Sequence, residues 1–178
     1  MKRLLIFVVI FIEAFLKLYA QLIPVEINRI VNNSEYIFEG EVIRGDSYWN
    51  ISVDKIYTSY TVNISKIFKG NLTCGTVEIL TEGGSVGDDS WYLSHNIRLS
   101  IGDKGIFACN QSKYEKPLND FYLETNTETL DISYRSQGFF RYENYGQYIG
   151  IYNNFYNFDS LAQVYDAIEL LTQLQYTD

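Results

Sequence analysis

From Ile56 to Gly70 the chain reads IYTSYTVNISKIFKG, and its alternation leaves little choice of secondary structure. Even positions carry Ile56, Thr58, Tyr60, Val62 and Ile64, while odd positions carry Tyr57, Ser59, Thr61, Asn63 and Ser65. A period of two belongs to a strand buried on one face. None of these side chains is chemically reactive, so the stretch reads as a long central strand, closed by Lys69-Gly70. Its phase slips at Lys66-Ile67-Phe68, where a bulge would keep both Ile64 and Phe68 inward. Thr76 to Glu82 is the predicted partner, after a turn at Gly70-Asn71.

The flanking segments follow the same logic. Tyr36 to Arg44 is a strand whose interior Gly40 marks a bulge or a sharp bend. Gly45 to Asp54 reads as a loop carrying Tyr48 and Trp49, and Gly83 to Asp89 as a second loop, glycine-rich and acidic at its tip. An alternating strand is expected through Ile97, Leu99 and Ile101 to a turn at Gly102-Asp103-Lys104-Gly105. Ile106 to Cys109 is wholly apolar, as in a strand buried on both faces. Phe121 to Glu124, Leu130 to Tyr134 and Gly138 to Tyr142 are short strands, and the aromatic stretch Tyr142 to Phe158, without a clean period, is an ordered loop.

Gln21 to Ser34 is a short helical or irregular lead-in after Pro24. At the other end Ser160 and Gln163 have capping-box spacing, and Leu161, Val164, Tyr165, Ile168, Leu171 and Leu174 recur at three- and four-residue steps. This predicts an amphipathic helix over about 160–176. Sixteen Tyr and 11 Phe against 2 Pro favour pleated surfaces. The expectation is a mainly β fold, a five-stranded OB-like Greek-key barrel with extra short strands and a C-terminal amphipathic helix. A β-sandwich is the alternative; the lack of βαβ alternation disfavours a parallel sheet.

Lys2 and Arg3 precede an apolar run from Leu4 to Ile12, and a small residue, Ala20, stands before Gln21. That order is a signal peptide over residues 1–20, followed by a single domain over 21–178. The run is shorter than the roughly 20 apolar residues a membrane span needs, so the mature chain is not expected to span a membrane. Cleavage removes three bases and one acid, deepening the formal charge from −8 to −10. Such a chain, without a basic cluster, repels phosphate backbones, which excludes nucleic acid as a partner.

Cys74 and Cys109 are the two cysteines. In an exported chain they predict a disulfide, closing a loop that removes about 3 to 4 kcal/mol of unfolded-state freedom; two buried free thiols is the other reading. Asn-x-Ser/Thr triplets begin at Asn32, Asn50, Asn63, Asn71 and Asn110. They are glycan acceptors in a eukaryotic secretory route and otherwise chance products of an Asn-rich chain.

His95 is the single histidine. It reads as a structural residue, since no nucleophile motif accompanies it as general acid–base chemistry requires. Asp88, Asp89 and Asp103, with Glu82, supply hard oxygen ligands for a calcium ion but lack EF-hand spacing, and turn chemistry explains them equally well. No cofactor is implied. Tyr48, Trp49, Trp91 and Tyr92, together with tyrosines 142, 145, 148, 152 and 156, are suited to stack on sugars or anchor a protein. Core filling accounts for most of the set; Trp49 and Trp91, in loops beside acids, are expected to be exposed.

The series Glu39-Gly40-x-Val42, Trp49, Ile56-Tyr57-Thr58-x-Tyr60, Lys66-Ile67-Phe68-Lys69-Gly70, Thr81-x-Gly83-Gly84-x-x-Gly87, His95 and Gly102-Asp103-x-Gly105-Ile106-Phe107 resembles an amino-terminal domain of secreted bacterial surface proteins. That domain is OB-like, similar to the netrin and metalloproteinase-inhibitor barrel. The resemblance extends through Gln137-Gly138-Phe139 to the closing helix; in such proteins the domain usually precedes adhesive or protease-like modules and a sorting signal. The metalloproteinase inhibitors act through a cysteine at the mature amino terminus; Gln21 occupies that place, so their mechanism does not carry over.

These readings together describe a secreted or surface-held, non-enzymatic interaction module with an extracellular protein or carbohydrate ligand. A protease inhibitor is the second reading and a metal-assisted hydrolase using His95 the third. Amino-terminal sequencing of the exported protein is expected to begin at Gln21; a product retaining Lys2 and Arg3 contradicts the signal peptide.

Overall fold

The computed structural model describes residues 23–73, 75–94, 96–114, 127–145, 148–153, 156–158 and 160–173. The expected signal peptide, Cys74, His95, the strand at Phe121 to Glu124 and Leu174 lie outside them. Among the described residues no helix is long and apolar enough to cross a membrane.

The architecture is mainly β. Strands β1 (Tyr36–Trp49), β2 (Ile56–Lys69), β3 (Thr76–Glu82), β6 (Lys104–Gln111) and β7 (Thr129–Ile132) close a five-stranded barrel in the order β1-β2-β3-β7-β6, with β1 pairing β6 to complete the circuit. All pairs are antiparallel except β3 with β7. A small hairpin, β4 (Gly84–Val86) and β5 (Asp89–Trp91), follows β3. Strands β8 (Phe139–Tyr145), β9 (Tyr148–Asn153) and β10 (Tyr156–Phe158) extend the sheet, entered through a 3-10 turn, Arg135–Gly138. Helix α1 (Ile27–Asn33) leads in and helix α2 (Leu161–Gln173) closes the chain.

Alternation sorts the apolar side chains into two cores. Phe38, Val42, Val62, Val77, Ile79, Phe107, Leu130 and Phe139 fill the barrel, where Phe107 lies 5.5 Å from Phe38 and 4.4 Å from Phe139 between ring centroids. Ile37, Ile106, Ala108 and Phe140 point the other way, onto Ile30 and Val31 of α1 and Val164 and Ile168 of α2. Strands β1 and β6 are thus buried on both faces, as the apolar run Ile106 to Cys109 predicts. The backbone amide of Gln163 donates to Ser160 Oγ at 3.3 Å, the expected cap of α2. A second tie joins α2 to the barrel: the Tyr165 hydroxyl donates to Glu39 Oε2.

The β1–β2 register shifts three times, leaving Ile43 unmatched on β1 and Ser65 and Phe68 on β2. The bulges fall at Gly40 and near Lys66 to Phe68, as expected, but with a different result. Ile64 packs on the barrel core while Phe68 turns to the helices and meets the Tyr165 ring at 5.2 Å. An added residue inverts the side-chain phase, and the second core makes that inversion useful.

Several segments depart from expectation. Gly45 to Trp49 is strand, because Tyr48 and Trp49 pair with Tyr57 and Ile56 across a turn organised by Asn50, whose side-chain oxygen accepts from the amides of Asp54 and Lys55. Gly83 to Asp89 includes β4 and the first residue of β5. Residues 97–101 form no strand: Leu99 is buried against the barrel core, whereas Ile101 is exposed. The described residues between Tyr142 and Phe158 are not loop but strand, in β8 to β10, with pairs such as Tyr142 to Ile151 supplied by a neighbouring strand. The predicted Cys74–Cys109 bridge is not shown: Cys109 is a free, fully buried thiol, pushed well up in pKa by burial.

Gly105 sits where β6 is paired on both sides, to Gly40 of β1 and Arg141 of β8. A Cβ there would lie 2.2 Å from the Phe140 carbonyl oxygen and 2.9 Å from the Phe139 ring. Gly105→Ala is expected to cost about 3 kcal/mol and to lower Tm by about 10 °C in thermal unfolding. An unchanged Tm contradicts the three-strand crossing.

Candidate functional site

Among the described residues, strands β3 and β7 pair through Glu78 to Thr129 and Ile79 to Leu130. Beyond that seam β7 continues along β6, pairing Asp131 with Asn110 and Ile132 with Cys109, while β3 continues along β2 to Glu82. The two strands part, and the gap is a cleft of about 270 Å³. Leu80 and Ile132 supply apolar lining, Tyr114 an aromatic ring, and Asn96, Asn110 and Gln111 side-chain amides. A second cleft of about 30 Å³ shares Thr81, Glu82, Asn96 and Ile97 with the first and includes Tyr92 and Arg98.

The carboxylates of the larger cleft are both engaged. Glu82 lies 3.0 Å from Lys55 Nζ, which also stands 5.7 Å from the centre of the Trp91 ring. Asp131 accepts from the Ser112 hydroxyl at 2.6 Å and the Lys113 amide at 3.0 Å. Burial nevertheless raises the Asp131 pKa, against the lowering effect of those donors and of the Lys113 charge. Tyr114, desolvated and close to Asp131, also has a raised pKa.

A tyrosine shelf adjoins the cleft. Tyr57 lies opposite Glu82 in the β2–β3 ladder, and its ring is 4.9 Å from Tyr114 and 6.2 Å from Tyr48. Below it on the same ladder, Glu78 is buried and accepts from Ser59 and Thr61, so that part of the face is internally satisfied. On the other flank the β4–β5 hairpin docks through Gly84, whose φ is +145°. A Cβ there would meet Thr58 Oγ1 at 2.3 Å and Ser47 Oγ at 2.4 Å. Without it, Thr58 donates to the Gly83 carbonyl at 2.6 Å, and Ser47 accepts from the Ser85 amide.

The rim at Tyr134 and Arg135 is strained. Both residues have left-handed φ, +53° and +62°, which costs about 1 to 3 kcal/mol each for a non-glycine. Packing over-determines the turn: the Tyr134 hydroxyl accepts from Asn33 Nδ2 at 2.5 Å, and buried Gln137 ties the lead-in through the Val25 amide and the Ile23 carbonyl. Arg135 itself is exposed.

Of the aromatic residues predicted as a site, Tyr48 joins the shelf. Tyr92, half exposed, hydrogen-bonds Ser85 and carries the Arg98 guanidinium 4.1 Å above its ring. Trp49 and Trp91 are half-buried rather than open, Trp49 opposite Ile56 in the hairpin and Trp91 opposite Gly84. The acids do not gather: Asp88 and Asp89 are exposed at the β4–β5 tip, whereas Asp103 accepts from Arg141 at 2.8 Å and from the Ser100 amide. Among the described residues no group of three or more His, Cys, Asp or Glu side chains is placed to hold a metal ion. Sequence reading missed Tyr57, Tyr114, Asp131, Lys113, Arg98 and Arg135; only Tyr57, an aromatic on the polar face of β2, left a trace in the pattern.

Comparison of the chain with protein-family models and with curated proteins finds no match.

The raised pKa of Asp131 fixes the sign of its pH effect. The folded state holds the proton more tightly than the unfolded one, so this group's contribution is full below its unfolded pKa and is lost as pH rises through the folded value. Relative to Asp131→Asn, wild type is expected to gain stability as pH falls from about 6 to about 4, read from urea midpoints. A wild-type advantage that shrinks over that interval contradicts the assignment.

Proposed function

We propose that this protein is a non-enzymatic carbohydrate-binding module acting outside the cell or at its surface. The ligand lies in the β3–β7 cleft and against the shelf of Tyr48, Tyr57 and Tyr114. The observation that carries this reading is the coincidence of aromatic faces with side-chain amides around one opening. Aromatic faces stack on the apolar faces of sugar rings, and amides and carboxylates match their hydroxyls. Barrels of this topology use the strand 2–3 face and the loops beside it for oligosaccharides or oligonucleotides, and the net charge of −8 argues against the second. The exported character expected from the amino terminus puts such a site in contact with extracellular glycans.

Binding is measured by affinity electrophoresis and calorimetry against a panel of soluble polysaccharides. Tyr114→Ala and Tyr57→Ala are each expected to weaken the observed binding about tenfold, by loss of ring stacking, with little change in Tm. Binding that survives both substitutions places the site elsewhere and overturns this assignment.

A further inference from the structure

Charge in this molecule is unevenly matched. Among the described residues, five ion pairs use Arg44, Lys55, Lys66, Lys104 and Arg141. Three of the described cations that make no ion pair stand at the two adjoining clefts: Arg98, stacked on Tyr92 in the smaller, and Lys113 and Arg135 in the larger. Of the cleft carboxylates, Glu82 is matched to Lys55, and Asp131 is held by the Ser112 hydroxyl and the Lys113 amide, with the Lys113 charge acting on it but forming no ion pair. A chain with formal charge −8 thus places these three cations at openings it also lines with tyrosine rings, while Arg29 and Lys69, which make no ion pair either, lie away from both clefts.

Arg135 adds a second observation. Its left-handed backbone is imposed by the tightly packed turn that moves the chain from β7 to β8 along the edge of β6, where a Cβ on Gly138 would lie 2.4 Å from the Ser133 carbonyl oxygen. The turn fixes the Arg135 backbone at the cleft that Tyr114 also lines. A guanidinium presents paired donors that match a carboxylate in two-point geometry.

We infer that the cleft selects an acidic saccharide, a polymer of uronic acid units, with Arg135 and Lys113 holding a sugar carboxylate while Tyr114 stacks on the ring. This rests on the carbohydrate-binding reading and narrows it to one charge class. An acidic peptide is the lesser fit. The closed circuit of barrel strands leaves β3 only the short edge past Ile79 for strand addition, and the Glu82 carbonyl there already accepts from Asn96 Nδ2 at 2.8 Å.

The secreted protein is tested against polygalacturonate, alginate and hyaluronan, against the methyl ester of any that binds, and against neutral dextran, galactan and poly-glutamate. Binding to at least one uronate polymer is expected, lost on esterification and weakened by salt between about 50 and 300 mM. Arg135→Gln and Lys113→Gln are each expected to weaken it about tenfold, with Arg135→Lys recovering part of the loss. Urea unfolding of each variant separates loss of contact from loss of fold. Equal affinity for a uronate polymer and its methyl ester, or binding to neutral polymers alone, overturns the acidic selectivity and leaves the carbohydrate reading standing. Binding to poly-glutamate without any polysaccharide, or to nothing in the panel, overturns both.

Discussion

Everything in this fold hangs on β1 and β6 burying both faces while pairing with each other. Their inward residues, Phe38 and Phe107 above all, close the barrel; their outward residues, Ile37, Ile106 and Ala108, make the floor on which both helices sit. Burial of this kind supplies most of the favourable free energy of folding, at about 25 cal/mol per Å² of apolar surface. The pairing needs room, and the glycines at 40 and 105 stand directly opposite each other where β1 bends and a third strand joins. Without that close approach the barrel would lack its fifth pairing and the helices their platform.

Closing the circuit also creates the cleft. Strand β7 is short and must serve two neighbours, β3 in parallel and β6 in antiparallel register. It cannot follow both, because β3 is held by seven successive pairs to β2 while β6 keeps β7 beside it. The strands separate after two pairs, and the opening acquires its character from what surrounds it: Tyr114 from the segment after β6, Arg135 from the turn before β8, and Asn96 and Arg98 from the segment before β6. A topological conflict in the sheet thus becomes a pocket with aromatic, amide and cationic walls.

The hairpin after β3 shows how a loop-like composition can still be ordered. Gly83 and Gly84 let the chain pass within hydrogen-bonding distance of Ser47 and Thr58, and the Trp91 and Tyr92 rings are then held beside Lys55 and Arg98. In such contacts the cation is attracted to the negative face of the ring. Their effect here is to keep aromatic faces at fixed places around the barrel end.

The sequence by itself determined the local regularities. The two-residue period from Ile56, the apolar run Ile106 to Cys109, the glycine bend at 40 and the three- and four-residue stripe of α2 each follow from side chains meeting their own neighbours, so the barrel and its closing helix were legible. Tertiary structure decided what depends on residues far apart. Tyr48 and Trp49 became strand because β2 returned alongside them, and the aromatic stretch after Tyr142 became β8 to β10 because β6 offered an edge. Phe68 faced the helices because bulges inverted its phase. The site was hidden for the same reason. Tyr57, Tyr114, Asp131 and Arg135 carry no common motif or spacing, and become neighbours only through the parting of two strands that are distant in sequence.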